Sequence, residues 1–530
     1  MRRSAGRAAL LALLALAAAP TAGGEEPIRI GRITIRSLNV FSPEEASRGW
    51  LYRAADALHI ETRESVIRKF LLFREGDPYD ATRLEETERN LRALPFLKSA
   101  SVFPGLRHDG VIDIEVTTQD AWTTQPGLSY GKKGGVTTYS FSFEEKDLLG
   151  TGRSAKVSYE RDIDRINRMV EYKDPYLFGP YWSGDFAYFS NSDGTEQDIR
   201  IARPFFSFVS PWAASAELSH LTQNERIFEN GRESSLFRQD HREVHLEYGK
   251  ALFRSDARAR RLTAGFEGFK DEFEHVRDRP EDLLPGNRNF RYLLLRYEDV
   301  SNDFIKLNYI NRDSRFEDFN LGTSLLVEVG VSPSAFGPDR TTERIRLGAS
   351  RGWRLSQSSF LQAFGSYETR LDGGPENEIL SGSVSYVLKF NTRTLQTLVS
   401  RLLFDAGWNL DRDVQFFADG DNGLRGYRLH SFAGNKRIVW NVEHRVFSGK
   451  EILQLASFGA AVFFDTGAAT PPGRPLKISE FKSDVGVGLR MAISRAATNS
   501  IVRVDVAYPL NPDPLGRKGW LVSFSSGQVF

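Results

Sequence analysis

The chain has 530 residues, with 70 Lys or Arg against 69 Asp or Glu and a formal net charge of +1. That balance excludes a strongly basic nucleic-acid binder, because no charge excess is left to neutralise phosphates. With 45 Gly, 38 Phe, 3 Met and no Cys, the composition favours β architecture and excludes disulfide frameworks, thiolate metal sites and cysteine nucleophiles.

At the N-terminus, Arg2, Arg3 and Arg7 precede the apolar run Ala8 to Ala19, and small residues follow. This is the pattern of a secretory signal peptide, expected over residues 1–23. The run is shorter than the ~20 apolar residues that span a bilayer, and no later stretch is long and apolar enough for a membrane helix. An exported chain of this kind is expected to contact a membrane through strands.

Residues 27–119 mix two periods. Ile28 to Ile35 alternates as a strand, and Glu61 to Phe73 carries the helical stripe Val66, Ile67, Phe70 and Leu71. Glu75-Gly76-Asp77-Pro78-Tyr79 is a turn, and Asp80 is placed to cap a helix running to Leu94, with Leu84, Leu91 and Leu94 on one face. Ala100 to Phe103 and Val111 to Val116 read as two strands around the turn His108-Asp109-Gly110. The order β-α-α-β-β predicts a small α+β domain. Within it, residues 41–60 are an inserted segment with a helix start at Ser42-Pro43-Glu44-Glu45. Trp50, Leu51, Ala54 and Leu58 can share one face there, packed on the domain or offered to a partner.

From Gln125 to Phe530 the period is two. Val485, Val487, Leu489, Met491 and Ile493 oppose Asp484, Gly486, Gly488, Arg490 and Ser494. Tyr139, Phe141 and Phe143 oppose Ser140, Ser142 and Glu144. Alternation alone also fits a soluble sandwich. Its scale, the long polar loops, the aromatic-rich strands and the signal peptide favour a transmembrane antiparallel β-barrel, apolar outside and polar within. The candidate strands number roughly 16 to 20, depending on whether Gly249 to Asn311 is split, and an even number is expected.

The loop from Phe417 to Asn435 holds Leu424-Arg425-Gly426-Tyr427. A loop arginine is ordinarily a solvated charge. Here Phe458, Val462 and Phe464 would face lipid, so Phe463 and Asp465 of Phe463-Phe464-Asp465-Thr466-Gly467 face the lumen. A desolvated Arg425–Asp465 pair with aromatic stacking would pin the loop inside the barrel, and Asp484 and Arg490 could extend the network.

These residues resemble the BamA- and TamA-type outer-membrane assembly and translocation superfamily, in which periplasmic POTRA domains precede a surface-antigen barrel. Leu424-Arg425-Gly426-Tyr427 resembles the family's inward loop tip, Phe463, Asp465 and Gly467 its acceptor strand, and Gly486, Gly488 and Arg490 the strand that follows. Glu75 to Tyr79 with Leu84, Leu91 and Leu94 to Leu97 resembles a POTRA core. Asp147 to Gly152 and Asp174-Pro175-Tyr176 resemble barrel turns. The departures are a single POTRA-like unit and the insertion 41–60.

The resemblance implies a 16-stranded transmembrane barrel over residues 125–530, preceded by one periplasmic POTRA-like domain, in the outer membrane of a Gram-negative bacterium. It implies outer-membrane lipid, unfolded β-barrel clients or a secreted polypeptide, and accessory periplasmic proteins as partners. It implies no cofactor and no metal. The expected function is assembly and insertion of other barrels. The alternatives are two-partner-type polypeptide secretion and a passive channel or surface antigen.

The expected seam joins a first strand containing Pro126, Gly127 and Tyr130 to a last strand containing Phe524, Gly527 and Phe530. Pro and Gly weaken strand pairing, so the seam could open sideways and offer an edge. The terminal Phe530 also resembles a sorting signal and suits an aromatic belt. Gly348 to Gly352 fits a nucleophile elbow and Gly150 to Ala155 a dinucleotide fingerprint, but both lie in stretches that continue as strands, where neither motif works. His241 and His245 share a strand face without a third ligand at metal spacing. Nothing in the chain points to an enzyme.

Overall fold

A computed structural model describes residues 28–526, apart from 42, 134–135, 339, 392–394, 453–454 and 497–500. Residues 1–23, expected from sequence to be a signal peptide, and Gly527 and Phe530 thus lie outside the described residues. Strand β1 (Arg29–Leu38) runs parallel to β3 (Val111–Asp120), which pairs antiparallel with β2 (Leu97–His108), so β3 is central. The β2–β3 turn uses Asp109 (φ 48°) and Gly110 (φ 75°), the left-handed pair that suits a tight hairpin.

Among the described residues, four helices accompany this sheet: α1 (Pro43–Ser47), α2 (Trp50–Leu58), α3 (Glu64–Lys69) and α4 (Ala81–Ala93). Asp80 caps α4, its carboxylate accepting from the Thr82 and Arg83 amides. Helix α3 is shorter than the apolar stripe suggested. The residues before it are held extended: the Thr62 amide donates to Asp120 and its hydroxyl to Asp147, and the Arg63 amide donates to the Gly150 carbonyl. Ile30, Ile33, Val66, Ile67, Leu84, Leu91, Phe96 and Val116 form the core, joined by Tyr176 from a barrel turn. In the insertion, Trp50 is 69% exposed and is not packed on the domain. The side chains of Leu51, Ala54 and Leu58 lie outside the description.

Among the described residues, twenty antiparallel strands from Thr124–Lys133 to Leu521–Ser526 form a closed ring, the last lying beside the first. The sixteen strands implied by the resemblance are therefore corrected to twenty. The uncertain stretch splits: Arg232–Arg254, Arg258–His275 and Arg288–Ser301 are separate strands with turns between them. Alternation sorts the two faces. Leu128, Phe141, Val170, Leu218, Leu293, Val462, Val487 and Leu489 are exposed on the outside, while Glu267, Glu328, Arg344, Glu443, Asp465 and Asp505 are buried. An apolar exterior around a charged, internally paired interior is the arrangement of a barrel that crosses a membrane with strands. Among the described residues, no helix is long and apolar enough to cross one.

The small domain docks on the turns at one end of the barrel. In the turn at 147–152, a Cβ added to Gly150 would lie 2.4 Å from the Glu61 carbonyl oxygen, and Gly152 packs against Val66, Phe96 and Tyr176. The Tyr181 hydroxyl donates to the Leu71 carbonyl, the Phe208 amide to Glu86, and Arg495 to Glu45 of the insertion. These turns follow one another along one side of the ring, so the domain sits against that part of the barrel end.

Candidate functional site

The loop between strands Leu395–Trp408 and Lys436–Ile452 enters the barrel from the end opposite the small domain. At its root, Arg288 pairs with Asp271, Asp411 and Asp413, and Arg370 pairs with Asp411. Inside, Phe416–Phe417 pairs with Ala433–Gly434, and Asp419 gathers the Asp421, Asn422 and His430 amides into a compact turn. The tip is thereby presented as a preformed unit.

Arg425 carries the contact. Its Nε and one terminal nitrogen donate to the two oxygens of Asp465 at 2.7 and 2.9 Å, and its other nitrogen donates to Glu443. The guanidinium carbon stands 3.4 Å from the Phe463 ring centroid. Burial opposes the charge, but Asp465, Glu443 and Asp505 outweigh it, and the Arg425 guanidinium is held charged well above its ordinary range. Leu424 and Tyr427 are buried with Ala418 and Val439, and the Tyr427 hydroxyl donates to the Ser483 and Asn511 carbonyls.

The network continues through Arg490, expected there from the sequence, and through Glu443, Asp505, Arg445 and Asn441, which the sequence motifs do not place there. Arg490 bridges Asp505 at 2.6 Å and Glu443 at 3.1 Å, Arg445 donates to Glu443 at 2.8 Å, and Asn441 donates to Asp465 at 2.7 Å. Three buried guanidinium groups (Arg425, Arg445, Arg490) thus share three carboxylates (Glu443, Asp465, Asp505). The signal was present, because Arg437, Asn441, Glu443 and Arg445 occupy one parity of a strand whose other face carries Ile438, Trp440 and Val442. Asp484 does not extend the ion pairs. It is the direct cross-strand neighbour of Asp465, and neither of its oxygens has a hydrogen-bond partner.

The glycines make room for these large side chains. A Cβ on Gly426 would lie 2.5 Å from that of Asp484, and one on Gly488 would lie 2.1 Å from an Asp505 oxygen. At Gly467 the obstacle is the Ile438 carbonyl, 2.5 Å away. The arrangement fixes a loop across the lumen.

No family model and no curated protein sequence matches the chain. Among solved structures it is similar to BamA from Haemophilus ducreyi lacking POTRA domains 1–3, at 12% identity, covering 93% of this chain and 84% of that one with a TM-score of 0.38. It is similar to CdiB from Acinetobacter baumannii at 13% identity, covering 94% and 74%, with a TM-score of 0.46. The corresponding values for CdiB from Escherichia coli are 13%, 94% and 76%, with a TM-score of 0.45.

The remaining sequence-predicted residues are distributed as follows. Pro126 and Gly127 stand in the first barrel strand opposite Phe143 and Ser142, where a Cβ on Gly127 would lie 2.1 Å from the Ser142 hydroxyl oxygen. Tyr130 pairs in register with Tyr139, and Phe524 with Val504. His241 and His245 share the lumen face. The structure adds what the spacing did not show: ligand atoms of Glu243, His245 and Glu267 all lie within 4.8 Å of one another. Glu267 is already held by Arg344 through both of its oxygens. Gly348–Gly352 and Ser154–Ala155 lie in strands.

Proposed function

We propose that the chain is an outer-membrane β-barrel factor that assembles or inserts other barrel proteins in a Gram-negative bacterium. In this reading the small domain is a periplasmic POTRA-like unit that captures unfolded clients along a free sheet edge, and the seam between the first and last strands templates their insertion. The free energy comes from burial and hydrogen bonding of the client, and no cofactor is required. The observation that carries the reading is the buried pinning of Arg425 to Asp465 and Glu443. A loop fixed across the lumen favours work at the wall over a permanently open pore.

Polypeptide secretion through the lumen is the second reading. It is favoured by one feature, a separate hairpin at the small-domain end that fills the lumen without belonging to its wall. The test uses liposomes of bacterial lipid. The purified chain should accelerate folding of a urea-denatured barrel client, and Arg425→Ala should reduce the acceleration. Ion conductance without any effect on the client would instead establish a passive channel.

A further inference from the structure

Between strands Arg288–Ser301 and Ser324–Ser332 the chain makes an excursion that the ring does not need. Those two strands pair directly with each other, from Leu293 opposite Val331 to Val300 opposite Ser324. The excursion forms its own hairpin, Phe304–Asn308 with Phe316–Asn320, at the end where the small domain docks. Ile305, Leu307 and Phe319 pack on Phe360, Val387 and Val399, which seats the hairpin against the inside of the wall.

Its tip reaches the lumen network from below. Arg445 donates to the Ile310 carbonyl at 2.8 Å, and the Thr397 hydroxyl donates to the Tyr309 carbonyl at 2.8 Å. Lys389 donates to Asn308, and Arg315 donates to the Ala496 carbonyl at 2.7 Å. Tyr309 (φ 62°) and Ser314 (φ 60°) both hold left-handed backbone, which a side chain disfavours and which the surrounding contacts must maintain.

The other side of the hairpin belongs to the small domain. Arg92 of α4 forks onto both oxygens of Asp318 at 2.7 and 2.8 Å. Glu88 pairs with Arg92 and with Lys306, and the Arg89 guanidinium lies 4.6 Å from the Phe304 ring centroid. Beside this joint a cavity of about 680 Å³ separates α4 from the hairpin and the 204–211 turn, lined by Arg89, Arg261, Phe205, Phe304 and Phe316.

We propose that this hairpin is a movable stopper for the lumen, latched shut by the small domain through Arg92 and Asp318. The two lumen fillings differ in what their removal leaves behind. Withdrawing the upper loop strips the buried Asp465 of its guanidinium partner, leaving its charge uncompensated, although Glu443 keeps Arg445 and Arg490. Withdrawing the hairpin uncovers Phe360, Val387 and Val399, breaks the Arg92–Asp318 and Lys306–Glu88 pairs, and takes neutral acceptors from Arg445, Thr397 and Lys389. Arg445 nevertheless keeps Glu443, and among the described residues no wall carboxylate loses its guanidinium. The hairpin is therefore the filling built to leave, and the cavity beside α4 gives it room to swing. A polypeptide that shifts α4 on binding the small domain would release it. That last step rests on the client-handling reading above; the latch itself does not.

The test is conductance of the full-length chain in planar bilayers, with heat-modifiable gel mobility to verify a folded barrel. Arg92→Glu and Asp318→Arg should each raise mean conductance roughly tenfold, the shift in open population supplied by about 1.4 kcal/mol. The double variant Arg92→Glu/Asp318→Arg should return it towards wild type. Replacing residues 306–317 by a short Gly-Ser turn should hold the pore open irrespective of the charges. An unchanged conductance after that replacement overturns the stopper. Silent single reversals, or a double variant that stays open, overturn the latch. Failure of the client-folding assay alongside a working charge swap would remove the proposed function and leave the latch standing.

Discussion

The Phe463 ring occupies the space that a side chain at residue 486 would need: a Cβ built on Gly486 lies 2.2 Å from the ring's Cζ. Because Arg425 rests over that ring, the glycine sets the position of the loop tip through one intervening aromatic. Gly486→Ala should displace Phe463 and lower stability by ~1–3 kcal/mol, as overpacking does in a filled interior. Gly374→Ala, where nothing lies within 4 Å of the added Cβ, is the control. Thermal unfolding in detergent should separate the two, and equal melting temperatures would disprove the packing role.

Arg425→Ala leaves the buried Asp465 with Asn441 but no guanidinium, beside Asp484, while Glu443 keeps Arg445 and Arg490. A loss of about 3–5 kcal/mol is expected for a broken buried pair. Arg425→Lys should recover little, because a single ammonium cannot reproduce the fork onto Asp465 together with the bond to Glu443. The loop 409–435 should become cleavable by protease added from the side opposite the small domain. A double-mutant cycle with Asp465→Asn should show that the two losses are strongly non-additive. Independent, additive losses would mean that the pair does not hold the loop.

The turn of the hairpin carries a pH-sensitive group. The Asp313 carboxyl is pushed up from 3.8 to about 6, by burial first and then by the nearby Glu451. Its folded value exceeds its unfolded one, so the folded chain binds the proton more tightly. Stability therefore increases as pH falls through about 6 towards 3.8, and the full penalty of the charged form is present above about 6. Asp313→Asn should stabilise the folded chain at pH 8 by an amount on the order of 2 kcal/mol, read as a higher melting temperature, and have little effect at pH 4. A benefit that is the same at both pH values would exclude titration of Asp313 as the cause.

Docking of the small domain depends on the turn at Gly150, whose φ of 69° and closeness to Glu61 both exclude a side chain. Gly150→Ala should loosen the domain without unfolding the barrel. Limited proteolysis should then cut the 121–123 connection faster, while the barrel keeps its heat-modifiable mobility. Unchanged cleavage would show that Gly150 does not hold the domain in place.

Much of this arrangement is legible in the sequence, for reasons that differ by element. A period of two is a local property, and a single strand suffices to place Phe463 and Asp465 on the side away from Val462 and Phe464. The cap at Asp80 is likewise local, a side chain reaching amides two and three residues ahead. The closure number is a property of the whole ring, and no segment carries it. Glu443 and Asp505 lie outside the motif around Arg425, and only the pairing of neighbouring strands brings them to it. The hairpin Phe304–Asn320 was invisible for a different reason. Its short alternating strands look like wall, and only their pairing with each other, outside the ring, reveals them as filling.

The groups that close on Arg425 have a consequence for how the barrel comes apart. Glu443, Asp465, Arg490 and Asp505 lie on four strands that are consecutive both in the chain and around the ring. Their charges compensate one another across neighbouring strands, so none of the four can leave without stranding a charge on the next. Under a mechanical load applied at the N-terminal end, the opening hairpins can peel away one at a time. The segment from Lys436 to Pro509 resists as a block and yields in a single larger step. The lumen charges that hold one loop thus also divide the wall into a part that unravels and a part that ruptures.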